Sequence, residues 1–237
     1  MLKGIAGSEG IGIGRVVIIE EHEVVIEDKT ITDVDAEIQR VQSAIEKFVN
    51  VTTEMADKME ATVGAKDADI LRGHVMLLRD PTIEEQIVAL IRSEKVTAEK
   101  ALDQVLEQTA ELFAQIPDEL LQQRATDFRD IKTRIVKILL GIEELDISTV
   151  PAGTVLVAKD LTPSMTAGIV SENIAGVLTE VGGRTSHSAI LARAMEIPAV
   201  LSVPNVMETF ENGQEIIVDG SHGEVIENPS DGEIAIY

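Results

Sequence analysis

A long helical middle block between two strand-rich blocks constrains the fold of this chain more than any other feature. Between residues 33 and 141 there are only two prolines, and apolar residues recur every three or four positions. That spacing places apolar side chains on one face of an α-helix. Residues 1–30 and the chain after Pro151 instead contain short runs of β-branched residues separated by Gly, Pro, Asn and Asp, which is typical of strands and turns. The sequence therefore predicts an α/β domain interrupted by an all-α helical bundle.

Four or five antiparallel helices are predicted within the middle block. The first carries a mostly apolar stripe with helical spacing, at Ile38, Val41, Ile45, Phe48, Thr52, Met55 and Met59. The second is expected at about 67–79 and the last from about 117. The predicted helix ends are a capping box of Thr32 with Asp35, an N-cap at Asp80, an N-cap at Thr97 and a C-terminal stop at Gly141.

Short strands are predicted on both sides of the helical block. They lie at residues 11–19 and 24–26 before it, and at 155–158, 176–179, 199–201, 215–219 and 225–226 after it, with helices from Thr162 and at 188–195. Because the later strands are short, their sheet would be small, and the first 30 residues are expected to pair with it. We therefore expect a discontinuous α/β domain of residues 1–30 and 145–237 and a helical subdomain of residues 31–144.

The composition excludes several classes of function. The chain has 42 acidic and 20 basic residues, a formal net charge of −22, and only 2% aromatic residues. Binding to a nucleic-acid backbone needs clustered Lys and Arg, so no nucleic-acid partner is expected, and a partner with a basic surface is favoured. The chain has no cysteine, which excludes disulfides and thiolate chemistry. No apolar run reaches the roughly 18 residues of a membrane span, so we expect a cytoplasmic protein without membrane insertion.

Three of the four histidines have ordinary explanations. His22 lies among glutamates and His222 lies in a turn between two strands, so both are expected to be exposed. His74 falls within a predicted helix, where a histidine is more often packed or exposed than catalytic. No two histidines have the spacing of zinc ligands, so no metal site is predicted in the chain. The alternating glycines at 10–14 indicate a strand, because a dinucleotide-binding loop needs G-x-G-x-x-G.

His187 differs because it follows a strand and a glycine turn and then opens a helix. Gly182 and Gly183 turn the backbone, and Thr185 or Ser186 can cap the helix. The free N–H groups and the positive end of the helix dipole favour a bound anion and a neutral imidazole at this point. A neutral imidazole has a lone pair that can attack phosphorus.

Arg184 and Arg193 add positive charge near this histidine. Both are expected to neutralise phosphoryl oxygens through charge-assisted hydrogen bonds. In phosphoryl transfer a protein mainly positions the reacting groups and stabilises the transferred charge. No Ser-His-Asp triad competes with this interpretation, since G-x-S-x-G is absent from the sequence. The residues alone therefore favour a phosphoryl-accepting His187 over a merely buried one.

The sequence of residues 182–193, followed by 196–200, resembles the phosphohistidine signature of phosphoenolpyruvate-utilising enzymes. Within that family the chain is similar to enzyme I of the bacterial phosphoenolpyruvate:sugar phosphotransferase system. Further matches follow in the order found in that group, at residues 4–14, 73–78, 123–131, 160–164 and 219–229. The resemblance covers essentially the whole chain.

The resemblance implies an architecture and a role for individual residues. The fold would be a swivelling α/β phosphohistidine domain with an inserted helical subdomain that docks the small carrier protein HPr. His187 would accept the phosphoryl group through Nε2, with Thr166 close to it. The immediate setting of His187 would be Gly182, Gly183, Arg184, Thr185, Ser186 and Arg193. The HPr-binding positions would be His74, Met76, Leu77, Leu121 and Arg124, which makes His74 an interface residue.

The resemblance also implies the reaction. The histidine would take its phosphoryl group from phosphoenolpyruvate, bound with Mg²⁺ by a C-terminal barrel, and pass it reversibly to HPr for sugar uptake. We expect the chain to be an N-terminal portion without that barrel or a cofactor of its own, monomeric alone and homodimeric in the full-length enzyme. Two alternatives stay open. One is the phosphohistidine domain of a pyruvate phosphate dikinase or phosphoenolpyruvate synthase, and the other is a non-catalytic acidic binding module.

Overall fold

A computed structural model describes residues 1–21, 24–143 and 145–237. The chain forms two compact units. The first contains residues 1–21, 58–65 and 145–237, and the second contains the described residues of 22–57 and 66–144. Residues 58–65 thus belong to the first unit, although the sequence assigned them to the helical block. The expected domain boundaries stay a prediction, and His22, expected to be exposed, lies outside the described residues.

One mixed sheet organises the first unit. Its strands are β1 (Leu2–Lys3), β2 (Ile5–Ser8), β3 (Ile11–Ile18), β4 (Thr154–Ala158), β5 (Ile174–Thr179), β6 (Ala199–Leu201), β7 (Glu215–Asp219) and β8 (Glu224–Glu227). Their order is β1-β8-β7-β3-β4-β5-β6-β2. The four central strands β3, β4, β5 and β6 are parallel, and the outer pairs are antiparallel. The expected pairing of the first block with the third is confirmed, because β3 lies between β4 and β7.

The sheet curves until its two edge strands meet. β1 and β2 stand at opposite ends of the strand order, yet only Gly4 separates them along the chain. Consecutive Cα atoms are about 3.8 Å apart, so the two edges must approach each other at Gly4. The Gly4 amide donates to the Gly223 carbonyl at 2.8 Å. A Cβ on Gly220 would lie 1.9 Å from the Ser8 carbonyl oxygen, so this closure requires glycine.

Apolar side chains cover both faces of the sheet. Along β4, Leu156 and Ala158 pack in one core cluster, while Val155 and Val157 pack in another. This alternation is that of a strand buried on both faces. The unit also contains four short helices, α6 (Pro163–Thr166), α7 (His187–Ala194), α8 (Val206–Thr209) and α9 (Asp231–Ile236). Leu191 of α7 packs in the same cluster as Leu156, which places α7 on that face of the sheet.

In the described part of the helical block there are five helices. They are α1 (Val34–Thr62), α2 (Ala65–Leu78), α3 (Pro81–Glu94), α4 (Ala98–Ala114) and α5 (Glu119–Leu140). Their shared core contains Phe48, Ile87, Leu102, Phe128 and Ile135, each at most 3% exposed. No helix among the described residues is both long and apolar enough to cross a membrane.

Three of the predicted helix ends are confirmed. The Asp80 side chain accepts from the Thr82 amide at the start of α3, and the Thr97 side chain accepts from the Lys100 amide at the start of α4. Gly141 ends α5 with φ +68°. These ends were predictable because the capping chemistry lies within a few residues of the helix.

The predictions for residues 24–26 and for Thr32 are wrong. The alternation at 24–26 is real, since Val24 and Ile26 pack against the helical core and Val25 is 66% exposed. These residues form no strand, because the surface that buries them is made of helices. At α1 the capping side chain is Asp33, whose Oδ1 accepts from the Ala36 amide at 3.0 Å.

Candidate active site

His187 is the first residue of α7, directly after the loop that leaves β5. Ser186 precedes it in extended conformation, and its Oγ accepts from the Ala189 amide at 3.3 Å as the helix cap. Of the two residues predicted as possible caps, Thr185 and Ser186, the structure uses Ser186. The carboxyl ends of parallel strands are where ligands commonly bind, in open sheets and in barrels alike. The histidine is partly exposed at such an end, with the helix N-terminus behind it.

Thr166 lies beside the imidazole. It is 1% exposed at the end of α6, and its Oγ1 is 3.5 Å from His187 Nε2. The same hydroxyl donates to the Pro163 carbonyl at 2.8 Å. A hydroxyl has one proton, so while Thr166 donates to Pro163 it can only accept from Nε2. A lone pair on Nε2, which nucleophilic attack requires, would be paired with this hydroxyl only if the hydroxyl turned from Pro163 to donate to Nε2.

Asp160 connects the segments that carry Thr166 and His187. Ser188, fully buried and next to the histidine, donates through Oγ to Asp160 Oδ1 at 3.0 Å. The same oxygen accepts from the Leu161 amide at 2.9 Å, just before α6. One carboxylate oxygen thus fixes the start of α7 to the start of the threonine-bearing segment. The sequence placed Asp160 in a segment that matches the family but assigned it no role, because its partner lies 28 residues away.

Side chains hold the loop before His187 by its carbonyl groups. The carbonyls of four consecutive residues, 181–184, each accept a hydrogen bond from a side chain. The donors are Thr179 to Val181 (2.6 Å), Ser202 to Gly182 (2.5 Å), Ser186 to Gly183 (2.7 Å) and Arg193 to Arg184 (2.7 Å). Such a loop is fixed before any ligand arrives, which is what a positioned nucleophile needs. Thr179 and Ser202 carry no motif that could have identified them in the sequence.

The two glycines of the loop differ in their constraints. Gly182 has φ +108°, a conformation that other residues rarely adopt. A Cβ there would also lie 3.2 Å from the capping Ser186 Oγ. The φ angle of Gly183 is not positive, and a Cβ on this residue would meet no atom within 4 Å. The loop conformation therefore depends on Gly182 in particular.

The two arginines do not play the same part. Arg184 and Thr185 are exposed in the loop, beside the histidine in sequence. Arg193 instead donates through Nη1 to the Gly7 carbonyl at 2.8 Å and through Nη2 to the Arg184 carbonyl at 2.7 Å. The structure thus places Arg193 against two backbone carbonyls, and its expected contact with phosphoryl oxygens stays a prediction.

Large apolar side chains of the helical unit stand exposed on α2, α4 and α5. Met76 on α2 is 72% exposed, Leu112 near the end of α4 is 66% exposed, and Leu120 in the first turn of α5 is 68% exposed. We call these three residues the apolar patch. The predicted interface positions Leu77, Leu121 and Arg124 are each partly buried. Exposed apolar groups of this size mark interaction surfaces when they cluster.

His74, expected at the interface, is buried instead. It is 1% exposed, with Nε2 3.3 Å from Asp127 Oδ1 and Nδ1 3.8 Å from Asp130 Oδ2. Both carboxylates lie on α5, so the imidazole holds α2 against α5. A side chain this buried cannot touch a partner, because the surrounding helices already cover it.

His222 is exposed in a turn between two strands, as the sequence predicted. Its side chain is 74% exposed, and Nδ1 is 2.9 Å from Asp219 Oδ2 in the turn between β7 and β8. The alternating glycines near the N-terminus are likewise confirmed as part of a strand, β3.

Among the described residues there is no group of three or more His, Asp or Glu that could hold a metal ion. These residues therefore supply no ligand set for the Mg²⁺ that the resemblance implies.

Comparisons with known proteins agree with this geometry. Residues 3–124 match the family described as PEP-utilising enzyme, N-terminal, and residues 150–223 match the PEP-utilising enzyme, mobile domain. The curated phosphoenolpyruvate-protein phosphotransferases of Priestia megaterium and Haemophilus influenzae are 39% and 36% identical over 236 residues. The match covers 100% and 99% of this chain, which spans only 41% of the length of each of these relatives.

Solved structures confirm the fold. An NMR solution structure of Enzyme I (nEIt) is 39% identical, with a TM-score of 0.92, over 100% of this chain and 96% of that one. A structure described as the N-terminal domain of Enzyme 1 - Nitrogen shares the fold at 23% identity, with a TM-score of 0.68, over 100% and 98% of the two chains. The predicted combination of an α/β phosphohistidine domain with a helical subdomain is thereby confirmed. The chain belongs to the family of phosphoenolpyruvate-utilising enzymes.

Proposed function

We propose that this chain is the phosphoryl-transfer part of a phosphoenolpyruvate-protein phosphotransferase. His187 accepts a phosphoryl group from phosphoenolpyruvate and passes it reversibly to HPr for sugar uptake. Relatives at 39% identity over the whole chain carry that enzyme name. In this proposal phosphoenolpyruvate and Mg²⁺ bind in a C-terminal domain of the whole enzyme, as the family resemblance implies. The whole enzyme would be a cytoplasmic homodimer, and residues 1–237 alone a monomer.

The placement of Nε2 carries the proposal. His187 lies at the N-terminus of a capped helix, and its Nε2 is 3.5 Å from the buried hydroxyl of Thr166. In the first step its lone pair attacks the phosphorus, an N–P bond forms, and the P–O bond to enolpyruvate breaks. In the second step a nucleophile of HPr attacks the same phosphorus, and Nε2 leaves with its lone pair. The positive end of α7 favours the anionic phosphoryl group in both steps.

HPr docking is assigned to the apolar patch of the helical unit. Desolvated apolar anchors supply most of the affinity of a small interface, and the acidic surface attracts a basic carrier. Of the positions carried over from the family, Met76 supports this assignment by its exposure of 72%. Leu77, Leu121 and Arg124 are retained as flanking contacts. His74 supports the surface from beneath, as the contact between α2 and α5.

Phosphoryl uptake from phosphorylated HPr tests the proposed function. Wild-type chain incubated with phospho-HPr should gain the mass of one phosphoryl group, labile in acid and persistent in base, as expected for phosphorus on nitrogen. His187→Ala should lose this uptake and keep its fold, because a partly exposed residue at a helix start contributes little packing. His222→Ala removes an exposed histidine of the same unit and serves as the matched control.

Each outcome of that experiment decides between interpretations. Uptake by His187→Ala would refute His187 as the acceptor. Absence of uptake by the wild-type chain, with HPr still bound, would favour the acidic binding module. Phosphate that persists in acid and is lost in base would indicate phosphoserine or phosphothreonine and contradict the histidine chemistry.

A further inference from the structure

Arg193 makes two hydrogen bonds that connect the histidine loop to an edge strand. Nη1 donates to the Gly7 carbonyl of β2 at 2.8 Å, and Nη2 donates to the Arg184 carbonyl of the loop at 2.7 Å. The guanidinium is planar, with its donors in a fixed fork. Two bonds to two separate segments therefore fix both the orientation of the group and the spacing between the segments.

The position of Arg193 along α7 separates it from the reacting nitrogen. It comes six residues after His187, which is about 9 Å along an ideal helix axis. At about 100° per residue, the two residues also point about 120° apart around the helix. Helical side chains lean toward the N-terminus, which explains how the guanidinium reaches the Arg184 carbonyl. The guanidinium therefore reaches the backbone of Arg184, close to His187 in sequence, and not the face of α7 on which the His187 imidazole lies.

The Gly7 carbonyl is available to Arg193 because β2 has an irregularity at that residue. Ala6 pairs with Val200 and Ser8 with Ala199 of β6, so the register shifts at Gly7. The extra residue of a bulge is left out of the regular ladder. A Cβ on Gly7 would lie 2.8 Å from Leu201 Cγ, which fixes glycine at this position.

We propose that Arg193 is a positioning residue, which holds the loop of His187 against β2 through the carbonyls of Arg184 and Gly7 and does not bind the phosphoryl group. Besides the loop carbonyl that it holds, Arg193 also donates a hydrogen bond to β2. The loop would therefore be preformed in the unphosphorylated protein. The role in phosphoryl transfer rests on the proposed function, whereas the structural role can be measured without any phosphate.

The test uses Arg193→Lys, Arg193→Met and the matched control Arg15→Met in the 237-residue chain. Arg15 belongs to the same unit, and its Nη1 donates to the Gly213 carbonyl at 3.0 Å. Lys keeps the positive charge and the aliphatic stem, but its ammonium lacks the planar fork that spans two carbonyls. A residue that binds phosphate through its charge should therefore tolerate Lys, and a positioning fork should not.

The first measurement is amide hydrogen exchange in the unphosphorylated chain. The Ser186 amide donates to the Gly183 carbonyl at 3.0 Å within the loop. We expect its exchange to become at least about tenfold faster in both Arg193 variants, because local opening of the loop governs this exchange. Arg15→Met should leave it unchanged. Unchanged exchange in Arg193→Lys and Arg193→Met would overturn the proposal.

The second measurement is single-turnover phosphoryl transfer from phospho-HPr over a range of HPr concentrations. Both Arg193 variants should lower the maximal rate on the order of 10- to 100-fold, since a displacement of about 1 Å can have that effect. The half-saturating HPr concentration should not change. A wild-type rate in Arg193→Lys combined with a slow Arg193→Met would assign the residue to phosphate binding and overturn the proposal.

The two measurements distinguish a wrong proposal for Arg193 from a wrong proposed function of the chain. If the wild-type chain takes no phosphate from phospho-HPr, the proposed function fails, and hydrogen exchange still decides the role of Arg193. If Arg193→Met does not fold, Arg193→Lys decides alone, because it retains both the stem and the positive charge. If the Ser186 amide of Arg193→Lys exchanges as slowly as in the wild-type chain and phosphoryl transfer is as fast, the positioning role is refuted.

Discussion

At the scale of single residues, the adjacent glycines before His187 give opposite expectations. Ala at Gly182 must adopt φ near +108° and place its Cβ 3.2 Å from Ser186 Oγ. Strained backbone of this kind costs about 1–3 kcal/mol. Gly182→Ala should therefore lower the unfolding free energy by that amount, as measured by urea denaturation of the chain.

Gly183→Ala provides the comparison for this measurement. A Cβ at Gly183 meets no atom within 4 Å, so the folded state accepts it. Ala also restricts the unfolded chain, which gives a stabilisation of about 0.4–1 kcal/mol where the native conformation is compatible. The free energy should stay the same or rise. Equal destabilisation by both substitutions would contradict the loop conformation described above.

At the scale of secondary-structure elements, an ion-pair cluster joins α4 to α5 and gives a pH dependence. Glu107 accepts from Lys132 Nζ at 2.8 Å and from Arg129 Nε at 3.2 Å. The hydrogen bond from Lys132 is the main cause that lowers the pKa of the Glu107 carboxyl; burial opposes it, and the positive charges of Lys132 and Arg129 add to the lowering. A carboxyl whose pKa is lower in the folded state stabilises that state above its unfolded pKa. This stabilisation is lost as the pH falls through the folded pKa.

Glu107→Gln should therefore destabilise the protein at pH 7 and progressively less below pH 4.5, the ordinary value for glutamate. The pair is partly exposed, so we expect a difference on the order of 0.5–1 kcal/mol at pH 7. Urea denaturation from pH 7 to pH 3.5 measures it. Glu111→Gln, at an exposed position one turn later on α4, is the control. A difference that stays constant with pH would exclude this ion pair as the cause.

Element prediction from the sequence succeeded where the signal was local and failed where it was not. The caps at Asp80 and Thr97 are set by residues two or three positions away. The short strands β1 and β2 were missed, because two to four residues carry too little pattern and their partners lie near the other end of the chain. Residues 24–26 had a correct alternation but no partner strand.

The candidate site shows the same limit. His187 and its cap Ser186 were identifiable, because a glycine turn followed by a helix start is a local arrangement. The contacts of Arg193 were not, since one of its acceptors is a backbone carbonyl 186 residues away. The burial of His74 depends on carboxylates of α5 that are 53 and 56 residues later, so its helix alone could not predict it.

At the scale of the whole molecule, two forces should govern the proposed encounter with HPr. The net charge of −22 attracts a basic partner over long range. Exposed charges are screened over about 10 Å at 0.1 M salt, so this contribution should fall as salt rises. Burial of the apolar patch does not depend on screening and should persist at high salt.

Leu120→Ala should therefore weaken HPr binding at both low and high salt. Leu120 is 68% exposed, so its truncation removes contact surface without opening a core cavity. Loss of such an anchor costs on the order of 1–2 kcal/mol of binding free energy, which calorimetry at 0.05 and 0.5 M salt can measure. Glu119→Gln, at the neighbouring exposed residue, should instead slow association mainly at low salt. Ile236→Ala changes an apolar residue that is 83% exposed on the other unit and should leave binding unaltered. Normal affinity of Leu120→Ala at both salt concentrations would mean that HPr docks away from the apolar patch, because no electrostatic compensation survives at 0.5 M.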